Sequence, residues 1–202
     1  IKYKTSFYYN INDKKDRKHD RVEFFLSKNQ KLIYNDVRKF GFIKILNKKN
    51  LYNNFHLNDL GPEPIGKKFN FDYFKKKILR KQRVIKDVIM DQKIVSGIGN
   101  IYANEILFLS KVKPLRQAKS LKDFELKKII KFTKSVLKKS IKLGGSSIKD
   151  FSSSNGKKGS FQQYFNVYGK KGEFCCNKNC SVKIIKLTIS SRATFYCPKC
   201  QK

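Results

Sequence analysis

The sequence predicts an α+β protein in which strands, helices and a cysteine cluster follow one another along the chain. Three observations carry this expectation. Residues 1–46 hold short β-rich runs separated by turn residues; from Asn70 the apolar period lengthens to that of a helix; and all five cysteines fall between Cys175 and Cys200.

The strand region is read from alternation and turn chemistry. Val22-Glu23-Phe24-Phe25-Leu26 and Lys31-Leu32-Ile33-Tyr34 flank the turn-like Ser27-Lys28-Asn29-Gln30, which predicts a hairpin. A further short strand is expected at residues 41–46. The Asn-rich stretch 47–59 and Gly61-Pro62-Glu63-Pro64 then read as a linker.

The helices come next. Phe71, Phe74 and Ile78 mark one helix, Ile85, Val88 and Ile89 a second, and residues 100–110 a third that stops before Pro114. Ser120 with Asp123 suggests the cap of a long helix, with Leu121, Phe124, Ile129, Phe132, Val136 and Ile141 as its buried stripe and Gly144-Gly145 as its end. Residues 146–160, rich in Ser, Gly and Lys, read as a mobile loop.

Composition narrows the function. With 40% hydrophobic residues the 202-residue chain can bury a core, which argues against wholesale disorder. Its 47 Lys+Arg against 15 Asp+Glu give a net charge of +32, so a polyanion is the expected partner, nucleic acid before an anionic membrane surface. No apolar run approaches the ~18–20 residues of a membrane span, and no signal peptide is visible. The only methionine is Met90, so Ile1 reads as an artificial start.

The cysteines read as one metal site. Cys197-Pro198-Lys199-Cys200 is a C-x-x-C knuckle, and Cys175 or Cys176 with Cys180 supplies a second pair. Two short pairs joined by a β-hairpin deliver the four thiolates that tetrahedral Zn²⁺ requires. The expected set is Cys175, Cys180, Cys197 and Cys200, with Cys176 spare. Upstream, Gly97-Ile98-Gly99-Asn100 lies between two helical patterns; glycines there allow close backbone approach, and the following helix offers free N–H groups to a phosphate.

These stretches carry a resemblance. Met90-Asp91-Gln92-Lys93-Ile94-Val95-Ser96-Gly97-Ile98-Gly99-Asn100-Ile101-Tyr102-Ala103-Asn104-Glu105 resembles the helix-two-turn-helix element of the formamidopyrimidine-DNA glycosylase family. Gly144-Gly145-Ser146-Ser147-Ile148-Lys149-Asp150-Phe151 and Arg192-Ala193-Thr194-Phe195-Tyr196-Cys197-Pro198-Lys199-Cys200-Gln201-Lys202 are similar to its later signatures. Lys18-His19-Asp20, Asp36-Val37-Arg38-Lys39-Phe40-Gly41 and Leu60-Gly61-Pro62-Glu63-Pro64 match in order upstream.

The resemblance implies a partial N-terminal β-sandwich over residues 1–60, a helix-two-turn-helix DNA-binding domain with a lesion-capping loop over 61–160, and a β-hairpin zinc finger over 161–202. It implies a bifunctional enzyme that excises oxidised purines, 8-oxoguanine and formamidopyrimidines, and then cleaves the abasic site by β,δ-elimination. The partner would be double-stranded DNA bearing the lesion or an abasic site, the protein a monomer, and its place the bacterial cytoplasm, associated with the nucleoid. In such an enzyme the damaged base leaves the stack. Asn100 and Arg192 would grip the flanking phosphates, Gly99 would present backbone to them, and Arg192 would donate a proton in the δ-elimination. Phe40 would wedge into the vacated stack while Arg38 faces the orphaned cytosine. His19, Lys81, Arg83 and Lys86 would be backbone contacts.

The sequence also departs from the family. The family's N-terminal proline nucleophile, its neighbouring glutamate and the β-domain lysine have no counterpart, so the chain as given is expected to bind DNA without excising the base. Lys4 stands where a methionine is usual, and Val37 replaces a proline. The competing readings are a non-catalytic damaged-DNA-binding protein of the same fold and an RNA- or ribosome-binding zinc ribbon; the Arg38–Phe40 pair favours DNA over the latter.

Overall fold

The computed structural model describes residues 5–10, 18–27, 30–36, 39–49, 54–146 and 159–202. The chain divides into two compact units: residues 1–46 with 140–164, and residues 47–139 with 165–202.

In the first unit, β1 (Thr5–Asn10), β2 (Asp20–Phe25) and β3 (Lys31–Asp36) form an antiparallel sheet in the order β1-β3-β2. The expected hairpin is β2–β3, with Phe24 opposite Leu32 and Val22 opposite Tyr34. Ile33, Tyr34 and Asp36 are its buried residues. The buried Asp36 carboxylate is satisfied locally: it accepts the N–H groups of Lys39 (3.0 Å) and Gly41 (2.8 Å) and the Tyr34 hydroxyl (3.4 Å), while Arg21 Nε donates to its carbonyl. A side chain at Gly41 would place its Cβ 1.6 Å from the Tyr34 oxygen, so only glycine fits where this turn closes.

The strand expected at residues 41–46 does not form. That stretch joins no ladder among the described residues, and Phe42, Ile43 and Ile45 are exposed. Apolar, β-branched composition is not enough without a neighbour to take its backbone hydrogen bonds. Also in this unit, residues 146 and 160 form an isolated antiparallel bridge, and Phe161 N–H returns to the Gly145 carbonyl. Residues 147–158, the bulk of the expected capping loop, lie outside the described residues, as do Lys4, Val37 and Arg38.

The second unit is helical. A short α1 (Phe55–Asn58) precedes α2 (Phe71–Ile78), whose N-cap Asn70 accepts the Tyr73 N–H at 3.0 Å. Phe74 and Ile78 point inward, Phe74 meeting Phe69 edge to face at 5.3 Å. Then come α3 (Ile85–Ile89), α4 (Asn100–Leu109) and α5 (Asp123–Lys142). The core gathers Ile85, Val88 and Ile89 from α3, Ile98, Ile106 and Leu107 around α4, and Leu126 and Ile129 from α5.

The long helix differs from expectation at its start and on its face. The Ser120 hydroxyl turns back to the Gln117 carbonyl; it is Glu125 that accepts the Lys122 N–H at 2.8 Å and pairs with Arg116. The buried stripe is Leu126, Ile129, Thr133, Val136, Leu137 and Ser140, while Phe124 and Ile141 are exposed. Two polar residues complete the stripe, and apolar side chains at each end lie off it. The C-terminus matches expectation: Gly145 N–H returns to the Ser140 carbonyl and Gly144 N–H to Ile141.

The unit closes with β4 (Ile185–Ile189) and β5 (Arg192–Tyr196), an antiparallel hairpin with Ile189 opposite Arg192. Its core is Phe108, Val167, Ile184 and Phe195 packed with Cys175, Cys180 and Cys197.

Candidate nucleic-acid interface

The site is built where α3 and α4 meet β5. The turn before α4 depends on Gly97, which sits at φ 78°, a conformation that costs other residues strain. Gln92 staples it, accepting the Gly97 N–H at 2.7 Å and donating to the Ile98 carbonyl at 3.2 Å. Gly99 is the N-cap of α4 and has no side chain to bond the first N–H groups of the helix. Those groups and the positive end of the helix dipole are thus open to an anion.

Asn100, the first residue of α4, donates Nδ2 to the Ala193 carbonyl at 3.0 Å. Its Oδ1 is buried, so an approaching anion does not meet that oxygen. Arg192, one residue before Ala193, is exposed. The glycine turn and the arginine are therefore one hydrogen bond and one peptide apart.

Two further contacts fix the β4–β5 hairpin in this position. Asn104, wholly buried on α4, accepts the Phe195 N–H at 2.6 Å and donates to the Asn100 carbonyl at 2.6 Å. Ser190 Oγ donates to Asp87 Oδ2 at 2.5 Å, tying the hairpin tip to α3. Ser190 and Ser191 both have positive φ (46° and 60°), the geometry of a two-residue turn that matches strand twist.

Lys86 corrects the expectation of a surface contact. It is 0% exposed, and its ammonium donates to Thr194 Oγ1 at 2.6 Å and to the Ala193 carbonyl at 3.2 Å. Burial pushes its pKa down to about 8; Asp87 opposes that fall and Arg192 adds to it. A side chain so enclosed holds β5 from inside the unit and presents no charge to the surface.

The remaining expected residues fall elsewhere. Lys81 and Arg83 are exposed before α3, and Arg83 is engaged by Asp91 at 2.7 Å. Burial opposes ionisation of Asp91, but the bonds from Arg83 and the Lys93 N–H hold its carboxyl below the usual range. His19 and Phe40 belong to the first unit. Phe40 is 63% exposed beside the turn that Asp36 closes. The Arg21 guanidinium faces His19 Nδ1 at 3.3 Å. Arg38 lies outside the described residues.

The cysteines form a metal-type cluster. The sulfur atoms of Cys175, Cys180, Cys197 and Cys200 all lie within 4.8 Å of one another. Cys175–Cys200 is 3.8 Å and Cys180–Cys197 is 3.6 Å, against roughly 3.8 Å between the corners of a tetrahedron of 2.3 Å zinc–thiolate bonds. The donor set and spacing fit a divalent metal. Cys176 is exposed and faces Asn166 Oδ1 at 3.5 Å, outside the cluster. The Val182 N–H holds the Cys180 thiol down to about 7, while burial pushes Cys175 and Cys197 up.

Sequence reasoning gave no role to Glu105. Buried on α4, its carboxylate accepts from Asn166 N–H and Nδ2 (both 2.8 Å), Val167 N–H (3.0 Å) and Tyr168 N–H (2.9 Å), anchoring the lead-in to the cysteines. Its place in the conspicuous 90–105 stretch was the one available signal.

Two helices joined by the ten residues 90–99, which turn at Gly97, and docked on a hairpin that closes a four-cysteine cluster define a helix-two-turn-helix protein with a C-terminal finger. Residues 60–152 match the formamidopyrimidine-DNA glycosylase H2TH domain. The chain is 45% identical over 186 residues to the formamidopyrimidine-DNA glycosylase of Rickettsia bellii (strain OSU 85-389), covering 92% of this chain and 67% of that protein. It is 40% identical to that of Listeria monocytogenes over 185 residues, covering 92% and 67%. Among solved structures, Lactococcus lactis Fpg in complex with DNA containing an abasic site superposes with a TM-score of 0.90 at 33% identity, over 98% of this chain and 72% of that one. MutM in complex with DNA containing carbocyclic 8-oxo-G gives 0.88 at 34%, over 98% and 71%. The chain belongs to the formamidopyrimidine-DNA glycosylase family. Among the described residues no helix is long and apolar enough to cross a membrane.

Proposed function

We propose that this protein acts in base-excision repair, binding duplex DNA at oxidised purines or abasic sites and providing the DNA grip of a bifunctional glycosylase and AP lyase, whose proline nucleophile has no counterpart among these 202 residues. The observation that carries the reading is the bond from Asn100 Nδ2 to the Ala193 carbonyl, which sets the open N-terminus of α4 beside exposed Arg192. Backbone N–H groups, an amide and a guanidinium converging on one surface suit a DNA phosphate.

In this reading Gly99, Asn100 and Arg192 hold the phosphates flanking an extruded nucleotide. Arg192 also acts in the δ-elimination as proton donor, stabilising charge on the departing phosphate. Phe40, exposed on its turn, fills the gap in the stack together with Arg38, and His19 contacts the backbone. Lys81 and Arg83 add weaker, screened contacts. Zn²⁺ at Cys175, Cys180, Cys197 and Cys200 would contribute folding energy to the finger, and through it a rigid base for Arg192.

The test is binding to a duplex with a central abasic site. Asn100→Ala and Arg192→Ala should each weaken it by roughly 1–3 kcal/mol, the scale of a lost charge-assisted contact. Either variant binding like the parent at ~0.15 M salt would remove that residue from the phosphate grip.

A further inference from the structure

A second basic surface lies on α2 and α5, elements that take no part in the α3–α4–β5 joint. Between Glu125 and the end of α5 there is no acidic residue, whereas Lys127, Lys128, Lys131, Lys134, Lys138, Lys139 and Lys142 are all basic. Lys127, Lys128, Lys131 and Lys138 are exposed, opposite the buried stripe of Leu126, Ile129, Thr133 and Val136. Lys76 and Lys77 extend the surface from α2.

This is not the pattern of a merely solvated helix. Exposed helices are ordinarily stabilised by opposite charges three and four residues apart, and like pairs there are destabilising. Here Lys127 with Lys131, Lys128 with Lys131, and Lys134 with Lys138 all repel. The aromatic side chains concentrate the charge further. Lys75 and Lys127 both lie over the Phe71 ring, at 5.4 and 5.1 Å; Lys77 lies over Tyr73 at 5.7 Å and Lys128 over Phe124 at 5.3 Å. A ring face restrains an ammonium without using an N–H donor, so those donors remain available to an external acceptor. Of the acids beside this face, Asp123 is engaged by Lys75 at 2.8 Å, and Asp72 is exposed in the first turn of α2.

We propose that the α2–α5 face is a second site for the phosphate backbone of duplex DNA, separate from the grip at Gly99, Asn100 and Arg192. The proposal rests on the DNA-binding reading above. From Lys127 to Lys138 the stripe runs about 16 Å at the helical rise. Duplex DNA carries one negative charge per ~1.7 Å of axis, so a segment of that length presents ample phosphate to every lysine. A bilayer suits the face less well: Phe124 and Ile141, at opposite ends of the helix, are the exposed large apolar residues of α5, far short of the apolar face that interfacial helices insert.

The experiment compares the parent with a Lys127→Gln/Lys128→Gln/Lys131→Gln/Lys138→Gln variant. Removing repelling charges favours the helix, so the variant should fold, and its helix content is checked by circular dichroism. Binding is measured across a salt series on a short duplex centred on an abasic site and on a long undamaged duplex. The expected result is a slope of log K against log salt that is shallower by about 2–4 on the long duplex, at 0.9 per phosphate, with the short-duplex affinity held within about twofold. The matching Lys→Arg variant should bind the long duplex like the parent. An unchanged slope on the long duplex would make the face a solvated one. Equal losses on both duplexes would merge it with the first site, and a loss seen only on phosphatidylserine vesicles would assign it to membranes. Asn100→Ala and Arg192→Ala on the short duplex report separately on the underlying reading; if the parent binds neither duplex, both readings fall.

Discussion

The ammonium of Lys86 reaches Thr194 Oγ1 at 2.6 Å from inside the helical unit, two residues along β5 from Arg192. Lys86→Met keeps the volume and removes the charge, leaving Thr194 and the Ala193 carbonyl with one partner fewer. The expected loss in abasic-site binding is about 1–3 kcal/mol, without change in metal content. Titration with DNA and metal analysis of the same preparations check both halves.

The same residue sets a pH dependence. Its folded pKa of about 8 lies below that of a free lysine, so the unfolded chain holds the proton more tightly. Stability contributed by Lys86 is therefore present above the unfolded pKa and lost as pH falls through the folded one. Between pH ~8 and ~10.4 the parent should gain stability relative to Lys86→Met, and below ~8 the difference should level off. Denaturant melts across that range measure it; a difference falling with rising pH would contradict the burial of a charged lysine.

How far the sequence carried depended on how local each feature was. The β2–β3 hairpin, α2, α4 and the cysteine hairpin rest on period and turn residues, and the first expected metal ligand was open only between neighbours Cys175 and Cys176. Lys86 could not be read correctly, because what removes it from the surface is Thr194, far away in sequence. The face of α5 was misread at Phe124 and Ile141 because apolar residues there lie off the buried stripe, while Thr133 and Ser140 lie on it. Asp36, Asn104 and Glu105 were silent for the same reason as Lys86: a buried polar residue shows its role through partners that folding brings to it.

The cysteine assignment separates two neighbours. Cys176→Ser should retain one Zn²⁺ per chain, since this thiol faces Asn166 outside the cluster. Cys175→Ser should lose the metal and loosen the finger, because a hydroxyl is a poor substitute for thiolate. Metal analysis of the purified variants decides, and the reverse pattern would overturn the ligand set.

The hairpin tip offers a test in which two adjacent serines diverge. Both sit at positive φ, where glycine is relieved of strain, but Ser190 also bonds Asp87. Ser191→Gly should stabilise by roughly 0.5–1 kcal/mol. Ser190→Ala keeps the strain and loses the bond, so it should destabilise by about 1 kcal/mol. A Ser190→Ala melt at or above the parent's would mean that the Asp87 contact contributes nothing, and a Ser191→Gly melt below the parent's would mean that the turn stores no strain at that residue.

Glu105 is the most demanding case, since one buried carboxylate serves four donors. Oε2 accepts both bonds from Asn166, and Oε1 accepts the N–H groups of Val167 and Tyr168. Glu105→Gln preserves the shape but turns one oxygen into an NH₂ that faces donors, so two of the four bonds are replaced by opposed N–H groups. A buried donor left without a partner costs about 1–3 kcal/mol, so the expected destabilisation is about 2–4 kcal/mol. The damage should reach the metal, because residues 166–168 lead into Cys175 and Val167 packs in the same core as Cys175, Cys180 and Cys197. Chelator-driven zinc release should therefore quicken in Glu105→Gln, together with the lower melting temperature. Release at the parent's rate alongside a lower melting temperature would confine Glu105 to α4 and separate it from the finger.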